Sequence, residues 1–458
     1  MEDTISNPRG FTSHRSVLYK IGTIVVLALA LILPLRMVDD LVDERRALRN
    51  RVVQDVAQSG IGAQRLDGLV LVLPCTDRYD EKETLDNGRT VVRPRTVACD
   101  VFLLPERLGI DGELETEFRY RGIYPALVYR SRLNLEGIFS VPPQAAPPGM
   151  RRTWGTPQVA LGLGDVRGIR SVPVLKWNGA SAPFAAGAGK APWAQGIHAD
   201  VPLDPALGGE ASFTLDLDLA GMQHFQIIPA AGEVLTSLSS PWPHPSFIGR
   251  FSPETRTVND AGFQAAWRSS DLGTNVRQAF RRCVQGKCDD YLATTFGVSL
   301  VQPVDVYQRT YRALHYGILF VVLTFALFFL YEILAGLRMH PVQYALVGFA
   351  LVAFFVLLLA FAEHIGFGLA YLIAAGACIA LVGLYVRYVL GTRARAASLT
   401  GLLSGLYGAL YMVLGSEDYA LLMGALLLFS ALAAFMLTTR KLDWYALSGP
   451  QAGRAEAE

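Results

Sequence analysis

The sequence predicts a membrane protein of the α + β class, with six transmembrane helices and a large, sandwich-like β-rich domain outside the cytoplasm. Hydrophobic residues make up 52% of the 458 residues and charged residues only 18%, whereas soluble domains carry about 25% charged residues. The apolar residues are concentrated near the N-terminus and in Ala313–Thr439, a block with only eight charged residues. Between them, Met37–Arg312 holds 30 basic and 31 acidic residues, as an ordinary folded domain does.

A helix needs about 20 mostly apolar residues to cross the hydrocarbon core of a bilayer. The first candidate is Val17–Leu35. The C-terminal block divides at its polar or charged breaks into five more: Ala313–Leu334, Val342–Ala362, Phe367–Leu390, Ser398–Leu414 and Tyr419–Thr438. A buried, all-helical soluble core is the alternative, and the length of the apolar runs disfavours it.

The charges beside these spans predict their orientation, because short cytoplasmic loops are enriched in Lys and Arg. Basic residues lie before or at the start of the first span and after the second, fourth and sixth: Arg9, Arg15, Lys20, Arg338, Arg393, Arg395, Arg440 and Lys441. The short loops on the other side hold Glu363 and the Glu417–Asp418 pair. Both termini are therefore expected in the cytoplasm, with the large domain outside.

The first span has a basic flank, as a cleaved signal peptide would, but its end lacks a small-x-small cleavage site. We therefore interpret it as an anchor whose helix continues to about Ser59, before Gly60. The predicted organisation is a cytoplasmic N-terminus and first span (1–36), a β-rich domain with a helical extension (37–312), a five-helix bundle (313–439) and a cytoplasmic tail (440–458).

Signals for β-strands begin near Leu66. Extended runs are predicted at Leu69–Pro74, Thr90–Leu104, Phe213–Leu219, Val234–Ser240, Phe263–Trp267 and Thr295–Val301, the third with a clear alternation of apolar and polar residues. Helical periodicity is weak after residue 60, and the stretches Val141–Gly149 and Ala180–Pro192 are predicted to be loops. We infer two packed sheets.

Four of the five cysteines lie in this domain: Cys75, Cys99, Cys283 and Cys288. An even count outside the cytoplasm favours disulfides. A zinc site is the alternative, but the chain has no CxxC spacing. Asp86-Asn87-Gly88 is a hairpin signal, and a hairpin centred near Asn87 places Cys75 opposite Cys99. Cys283 and Cys288 would then close a small loop, and Cys378, inside a span, is predicted to be a packing residue.

Several segments together resemble the CreD family of bacterial inner-membrane proteins, over about residues 15–448. They are Gly164–Ile169, Trp242–Gly249, Gly262–Trp267, Pro341–Gly348, Glu363–Phe367 and Asp443–Leu447. The resemblance implies a multi-pass protein of the inner membrane that supports cell-envelope integrity in a stress response. It implies no catalytic residue and no cofactor, and it does not include the cysteine pairs.

Two short segments are candidate functional sites. In Trp242-Pro243-His244-Pro245 the prolines stiffen the backbone, which predicts either a rigid partner-binding knob or a strand-end corner whose Trp242 fills the core. Glu363 and His364 close the third span, where a carboxylate and an imidazole are able to move protons or bind a cation. The alternative is a solvated loop.

Two ionisable residues inside spans, Glu332 and Arg387, lie at similar predicted depth. Because charges in a bilayer are costly, we expect an ion pair between them that fixes helix packing. The alternative is that Arg387 reaches the interface by itself. Gly162–Gly168 lacks the spacing of a dinucleotide-binding loop, so it is predicted to be a turn that presents Asp165 and Arg167.

The sequence contains no GxSxG, HExxH or Walker motif, so we predict no enzyme, metal or cofactor. The expected partners are the lipid bilayer and a periplasmic or inner-membrane protein. The balanced net charge of +1 gives no reason to expect nucleic acid. A small-solute or ion transporter, and an enzyme that acts on envelope lipids or precursors, are the alternatives.

Overall fold

A computed structural model describes residues 14–84, 90–300, 306–335, 339–390, 392–416 and 419–440. The chain forms two compact units: a helical unit, Met1–Arg49 with Val304–Glu458, and a β domain, Asn50–Pro303. The β-rich domain was predicted to span residues 37–312, whereas the β domain of the structure spans residues 50–303. The start of the second helix and a short helix before the C-terminal spans both belong to the helical unit. The predicted tail beyond Arg440 and the Asn87 turn lie outside the described residues.

The described helices are α1 (His14–Ala30), α2 (Ile32–Ser59), α3 (Asp271–Thr274), α4 (Val276–Val284), α5 (Asp289–Leu292), α6 (Val306–His315), α7 (Gly317–Leu334), α8 (Pro341–Ile365), α9 (Phe367–Leu390), α10 (Arg393–Gly415) and α11 (Ala420–Thr439). They provide six candidate spans that are long and apolar enough to cross a membrane: the joined α1–α2 segment, which counts as one, and α7 to α11. The predicted six-helix layout, one N-terminal and five C-terminal, is confirmed.

Local sequence explains several helix ends. Pro34 has no N–H to donate to Ala30, and the helix is interrupted at Leu31, between α1 and α2. At the start of α8, the Val342 N–H donates to His340 Nδ1 (3.3 Å) and the His340 N–H donates to Gln343 Oε1 (3.1 Å). This capping box satisfies N–H groups that a helix start leaves unpaired.

The strands are β1 (Gln64–Leu73), β2 (Cys75–Thr84), β3 (Thr90–Ala98), β4 (Val101–Leu103), β5 (Arg107–Arg121), β6 (Tyr124–Val141), β7 (Arg151–Trp154), β8 (Gln158–Leu163), β9 (Val174–Trp177), β10 (Ala180–Pro183), β11 (Ala185–Ala186), β12 (Gly196–Asp200), β13 (Gly209–Met222), β14 (His224–Ile227), β15 (Glu233–Ser240), β16 (Pro245–Gly249), β17 (Thr255–Asn259), β18 (Gly262–Ser270) and β19 (Phe296–Leu300). All six predicted extended runs fall on strands.

The strands form two eight-stranded sheets and one three-stranded sheet. The first has the order β11-β12-β8-β1-β14-β19-β16, with β4 also beside β1, and the second β10-β9-β13-β6-β5-β15-β18-β17. Both large sheets are mixed, since β1 pairs in parallel with β14 and β15 with β5. One buried cluster contains side chains from both, such as Leu161 and Leu217. The sandwich-like prediction therefore holds.

The third sheet, in the order β3-β2-β7, carries the predicted cysteine hairpin. Thr76 pairs with Ala98 and Thr84 with Thr90, the register expected from a turn at Asn87. Cys75 and Cys99 are joined by a disulfide, with their Cα atoms 5.0 Å apart. A second disulfide joins Cys283 at the end of α4 to Cys288 just before α5.

Two predictions about the β domain need correction. Weak helical periodicity predicted no helix after residue 60, yet α3, α4 and α5 are present. The signal was nevertheless present in α4, where Val276, Ala279, Phe280 and Cys283 recur at i, i+3, i+4 and i+7 and pack into a buried cluster. The predicted loop Ala180–Pro192 contains β10 and β11, because Asn178 and Gly179 (φ +48° and +85°) close a two-residue hairpin.

Candidate functional site

Glu363 lies in the last turn of α8, within a cluster that draws on three separate parts of the chain. Its Oε1 accepts a hydrogen bond from the Tyr307 hydroxyl of α6 at 3.1 Å. The same oxygen lies 3.8 Å from Nε of Arg45 on α2. The Glu363 side chain is 9% exposed, so these contacts hold a nearly buried carboxylate in place.

His364 is not part of this cluster. It is the next residue of α8 and is exposed, because adjacent positions on a helix point in different directions. The structure therefore places the predicted carboxylate and imidazole in one helical turn without bringing them together. The connecting-loop interpretation does not describe the pair either, since α8 ends only at Ile365, before Gly366 with φ +80°.

Aromatic and cationic side chains extend this cluster along α6. The Arg46 guanidinium lies 4.4 Å from the centre of the Tyr311 ring, which in turn lies 4.2 Å from the His315 ring. The Arg309 guanidinium lies 5.9 Å from the Phe367 ring. Cation–π contacts of this kind stabilise partly buried arginines. The arrangement suits fastening of helices, and no group of three His, Cys, Asp or Glu in the described residues is placed to hold a metal ion.

The other end of the helical unit holds Glu332, and here the predicted partner is wrong. Its Oε1 is paired with Nζ of Lys20 on α1 and accepts the N–H of Met339 at 2.8 Å. Its Oε2 accepts the Tyr344 hydroxyl at 2.8 Å. Arg387 is exposed on α9. α7 packs on α1, so Glu332 pairs with Lys20 of that helix and not with Arg387.

In the β domain, Asp165 and Arg167 stand on the predicted turn, a short 3-10 helix over Val166–Gly168. Asp165 accepts from the Arg167 guanidinium at 2.7–3.2 Å and from the Gly62 N–H at 3.1 Å. The Arg167 hydrogen bonds hold the pKa of the Asp165 carboxyl below 3.8, against the opposing effect of burial. The turn borders a groove of about 890 Å³ that also contains Arg130 and Arg170.

Trp242 lies at the corner before β16 and is half-buried. Its ring meets Phe118 edge to face at 5.8 Å, and it packs against the main β core. His244 is exposed and lies 6.2 Å from the Trp242 ring. The structure thus places Trp242 at the edge of the core, as the corner interpretation expects, while part of its side chain remains exposed to solvent.

Sequence reasoning missed the surface beside Trp242, at the tip of the β5–β6 hairpin. Phe118, Tyr120 and Ile123 are 45%, 70% and 42% exposed there, with Arg119 and Arg121 between them. The strands pair in register up to Arg121 and Tyr124. The signal was present as Phe118 and Tyr120 alternating with Arg119 and Arg121, because a period of two puts both aromatic rings on one face of the strand and both arginines on the other.

The comparisons with known proteins identify the family. The model of the family described as inner membrane protein CreD matches residues 16–445. The inner membrane protein CreD of Escherichia coli (strain K12) is 35% identical over 433 residues, which are 94% of this chain and 95% of that protein. This chain belongs to the CreD family. It is an inner membrane protein, and the relative's name describes a location and not a reaction.

Among solved structures, this CreD-family chain is similar to a mutant M1 zinc metallopeptidase from Deinococcus radiodurans. That likeness covers 36% of this chain and 39% of that one, at 11% identity and a TM-score of 0.19. A similarity this weak carries no argument about fold or activity.

Three segments by which the chain resembles the CreD family now have structural positions. Gly164–Ile169 forms the turn that holds Asp165 and Arg167. Pro341–Gly348 starts α8 with its capping box and contributes Tyr344 to the Glu332 network. Glu363–Phe367 carries the carboxylate that α2 and α6 contact. Each segment joins parts of the chain that are distant in sequence.

Proposed function

We propose that this protein supports the integrity of the cell envelope, with both termini in the cytoplasm and the β domain in the periplasm. The distribution of Lys and Arg beside the spans favours this orientation. The disulfides Cys75–Cys99 and Cys283–Cys288 also support it, because disulfides form and persist in the periplasm and are rare in the cytosol. The helical unit then serves as the anchor in the inner membrane.

The observation that carries the proposed mode of action is the patch formed by the exposed Phe118, Tyr120 and Ile123 together with the half-buried Trp242, with Arg119 and Arg121 beside it. Aromatic residues and arginine dominate the energetics of protein interfaces. Stiff strands and the proline-flanked corner hold the patch, so little conformational entropy is lost on binding. We infer that the patch binds another protein of the envelope.

The polar groups of the helical unit support a role in anchoring more than one in transport. Both carboxylate oxygens of Glu332 have partners within the unit. The Tyr371 hydroxyl donates to the Tyr407 carbonyl at 2.7 Å, and the Tyr407 hydroxyl donates to Cys378 Sγ at 3.0 Å. These groups fix helices to one another, whereas a transport path needs groups that exchange partners with a solute.

Site-specific photo-crosslinking in intact cells tests the proposal. A benzophenone amino acid at Tyr120 should yield one discrete crosslinked protein. The same probe at Val172, which is 82% exposed on the same domain, should not. Tyr120→Ala together with Trp242→Ala should reproduce the envelope sensitivity of a strain lacking the gene, while the protein still accumulates in the membrane. Equal crosslinking from both positions, or full function of the double variant, would refute partner binding through this patch.

A further inference from the structure

An apolar groove runs along the helical unit between the joined α1–α2 segment, α7 and α11. Its volume is about 520 Å³, and every lining side chain is apolar, among them Ile24, Ala28, Val322, Ala326 and Phe435. All of these helices are candidate membrane spans. In an inner membrane protein, such a groove therefore opens toward hydrocarbon.

The dimensions of the groove select its occupant. Its lining extends from Ile21 to Ile32, which is about 16 Å at 1.5 Å per residue. Dividing the volume by this length gives a narrow cross-section of about 30 Å² along the groove. A single acyl chain fills such a strip along its length, whereas a helix about 10 Å across would contact mainly the rim.

One end of the groove, marked by Ile32 and Ile318, leads to polar groups. Arg36 lies one helical turn after Ile32 and is exposed. His315 lies three residues before Ile318 and is exposed as well. Asp39 follows on α2, and its Oδ1 is buried without a hydrogen-bond partner among the described residues. A buried carboxylate oxygen without a donor is costly, so it indicates a group that is absent from the protein alone.

We propose that this groove is a binding site for a phospholipid with a primary-amine headgroup. One acyl chain lies along the apolar lining, and the phosphate lies between Arg36 and His315. The ammonium donates a charge-assisted hydrogen bond to Asp39 Oδ1. A headgroup that carries only negative charge would meet Asp39 with repulsion, and a trimethylated amine has no N–H to donate. The amine thus explains the orphaned carboxylate oxygen, and the Arg36 guanidinium supplies the positive charge that the phosphate needs.

Native mass spectrometry of the delipidated full-length protein tests the proposal. The probes are phosphatidylethanolamine, phosphatidylcholine and phosphatidylglycerol with identical palmitoyl and oleoyl chains. We expect phosphatidylethanolamine to bind about tenfold more tightly than phosphatidylcholine, which corresponds to about 1.4 kcal/mol. Asp39→Asn should remove that preference. Ala28→Trp should block the chain site and reduce binding of all three lipids.

Leu372→Trp is the matched control, because Leu372 is 64% exposed on α9 and does not line the groove. It should leave binding unchanged. Reactivity of the buried thiol of Cys378 reports whether each variant is folded, and Ala326→Trp on the opposite wall replaces Ala28→Trp if the latter fails to fold. Equal binding of the three lipids, or full binding in both groove-filling variants, would overturn the proposal. A dimer in the mass spectrum that the groove-filling variants abolish would also overturn it, because a second copy of the protein would then occupy the groove.

Discussion

Replacing Lys20 with Met should destabilise the helical unit, because it leaves Glu332 as a buried carboxylate without its cation. The Glu332 side chain is only 6% exposed, and the Met339 N–H and the Tyr344 hydroxyl would remain as neutral donors. Breaking a buried pair by removing one partner costs about 3–5 kcal/mol. Since the Lys20 side chain is 22% exposed, water and headgroups screen part of this charge, and we expect about 3 kcal/mol.

The double variant Lys20→Met with Glu332→Gln should recover most of this loss. It has no uncompensated charge, and Gln keeps the shape and an acceptor for the Tyr344 hydroxyl. A net cost of about 1 kcal/mol is expected, since replacing both members of a buried pair is often nearly neutral. The difference of about 2 kcal/mol from Lys20→Met measures the cost of the uncompensated charge, and the Glu332→Gln single variant completes the cycle that gives the coupling energy.

Thermal unfolding in detergent, followed with a thiol-reactive dye, measures these changes. Cys378 is buried and is the free cysteine, so its reaction reports loss of packing in the helical unit. A loss of 3 kcal/mol lowers Tm by roughly 6–12 °C at the 2–4 °C per kcal/mol typical of units of this size. Arg387→Gln, the control, removes an exposed cation and should change stability by less than about 0.5 kcal/mol. An equal effect of Arg387→Gln, or a double variant no better than Lys20→Met, would contradict the assigned pairing.

Three further predictions concern single contacts. In the full-length protein, urea unfolding followed by tryptophan fluorescence should show that Cys75→Ser lowers the free energy of unfolding by about 3.5 kcal/mol and Cys283→Ser by about 2 kcal/mol. The disulfide that closes the longer loop stabilises more, so equal losses would contradict this reasoning. Asp165→Asn should cost about 2 kcal/mol at pH 7. Because its folded-state pKa lies below 3.8, this difference from wild type should shrink as the pH falls through that folded-state pKa, and a difference unchanged down to pH 3 would refute it. In thermal unfolding followed with the thiol-reactive dye, Glu363→Gln should lower the stability of the helical unit by about 1–2 kcal/mol and His364→Ala by less than about 0.5 kcal/mol. The reverse order would show that His364 holds the cluster.

The register of the β2–β3 hairpin was predictable because its information is local. An Asn-Gly pair fixes the centre of a hairpin, and counting outward from it places Cys75 opposite Cys99. The same rule applies to Asn178-Gly179, where the signal was overlooked because the surrounding residues are rich in Ala and Pro. That β9–β10 turn shows that a strong turn signal outweighs an unfavourable composition on its flanks.

The partners of the buried charges were not predictable, because they depend on which helices become neighbours. Glu332 and Arg387 lie at similar depths along their spans, but equal depth does not imply contact. The cation that Glu332 uses, Lys20, lies 312 positions away in the chain. The partners of Glu363 likewise come from α2 and α6, and the periodicity of α8 contains no information about either helix.

The two charged clusters of the helical unit explain how the N-terminal helix is held. Lys20 and Arg45 are separated by about 37 Å of helix at 1.5 Å per residue, which exceeds the roughly 30 Å of bilayer hydrocarbon. Both ion pairs can therefore lie near the polar interfaces, where charge is less costly. Between them the contact is apolar, and Leu31 packs so closely on Gly348 that a Cβ there would come within 2.4 Å of its side chain.

The proposed lipid groove lies between these two fastenings, from Ile21 to Ile32. α1 forms one wall of the groove, and its position relative to α7 depends on the ion pairs of Lys20 and Arg45 at the two ends of the α1–α2 segment. Lys20 itself does not line the groove, yet Lys20→Met should weaken lipid retention together with stability. A groove-filling substitution should instead weaken lipid retention and leave the Lys20–Glu332 pair intact. The two effects separate because the ion pair positions the helix, whereas the apolar lining provides the surface that the acyl chain covers.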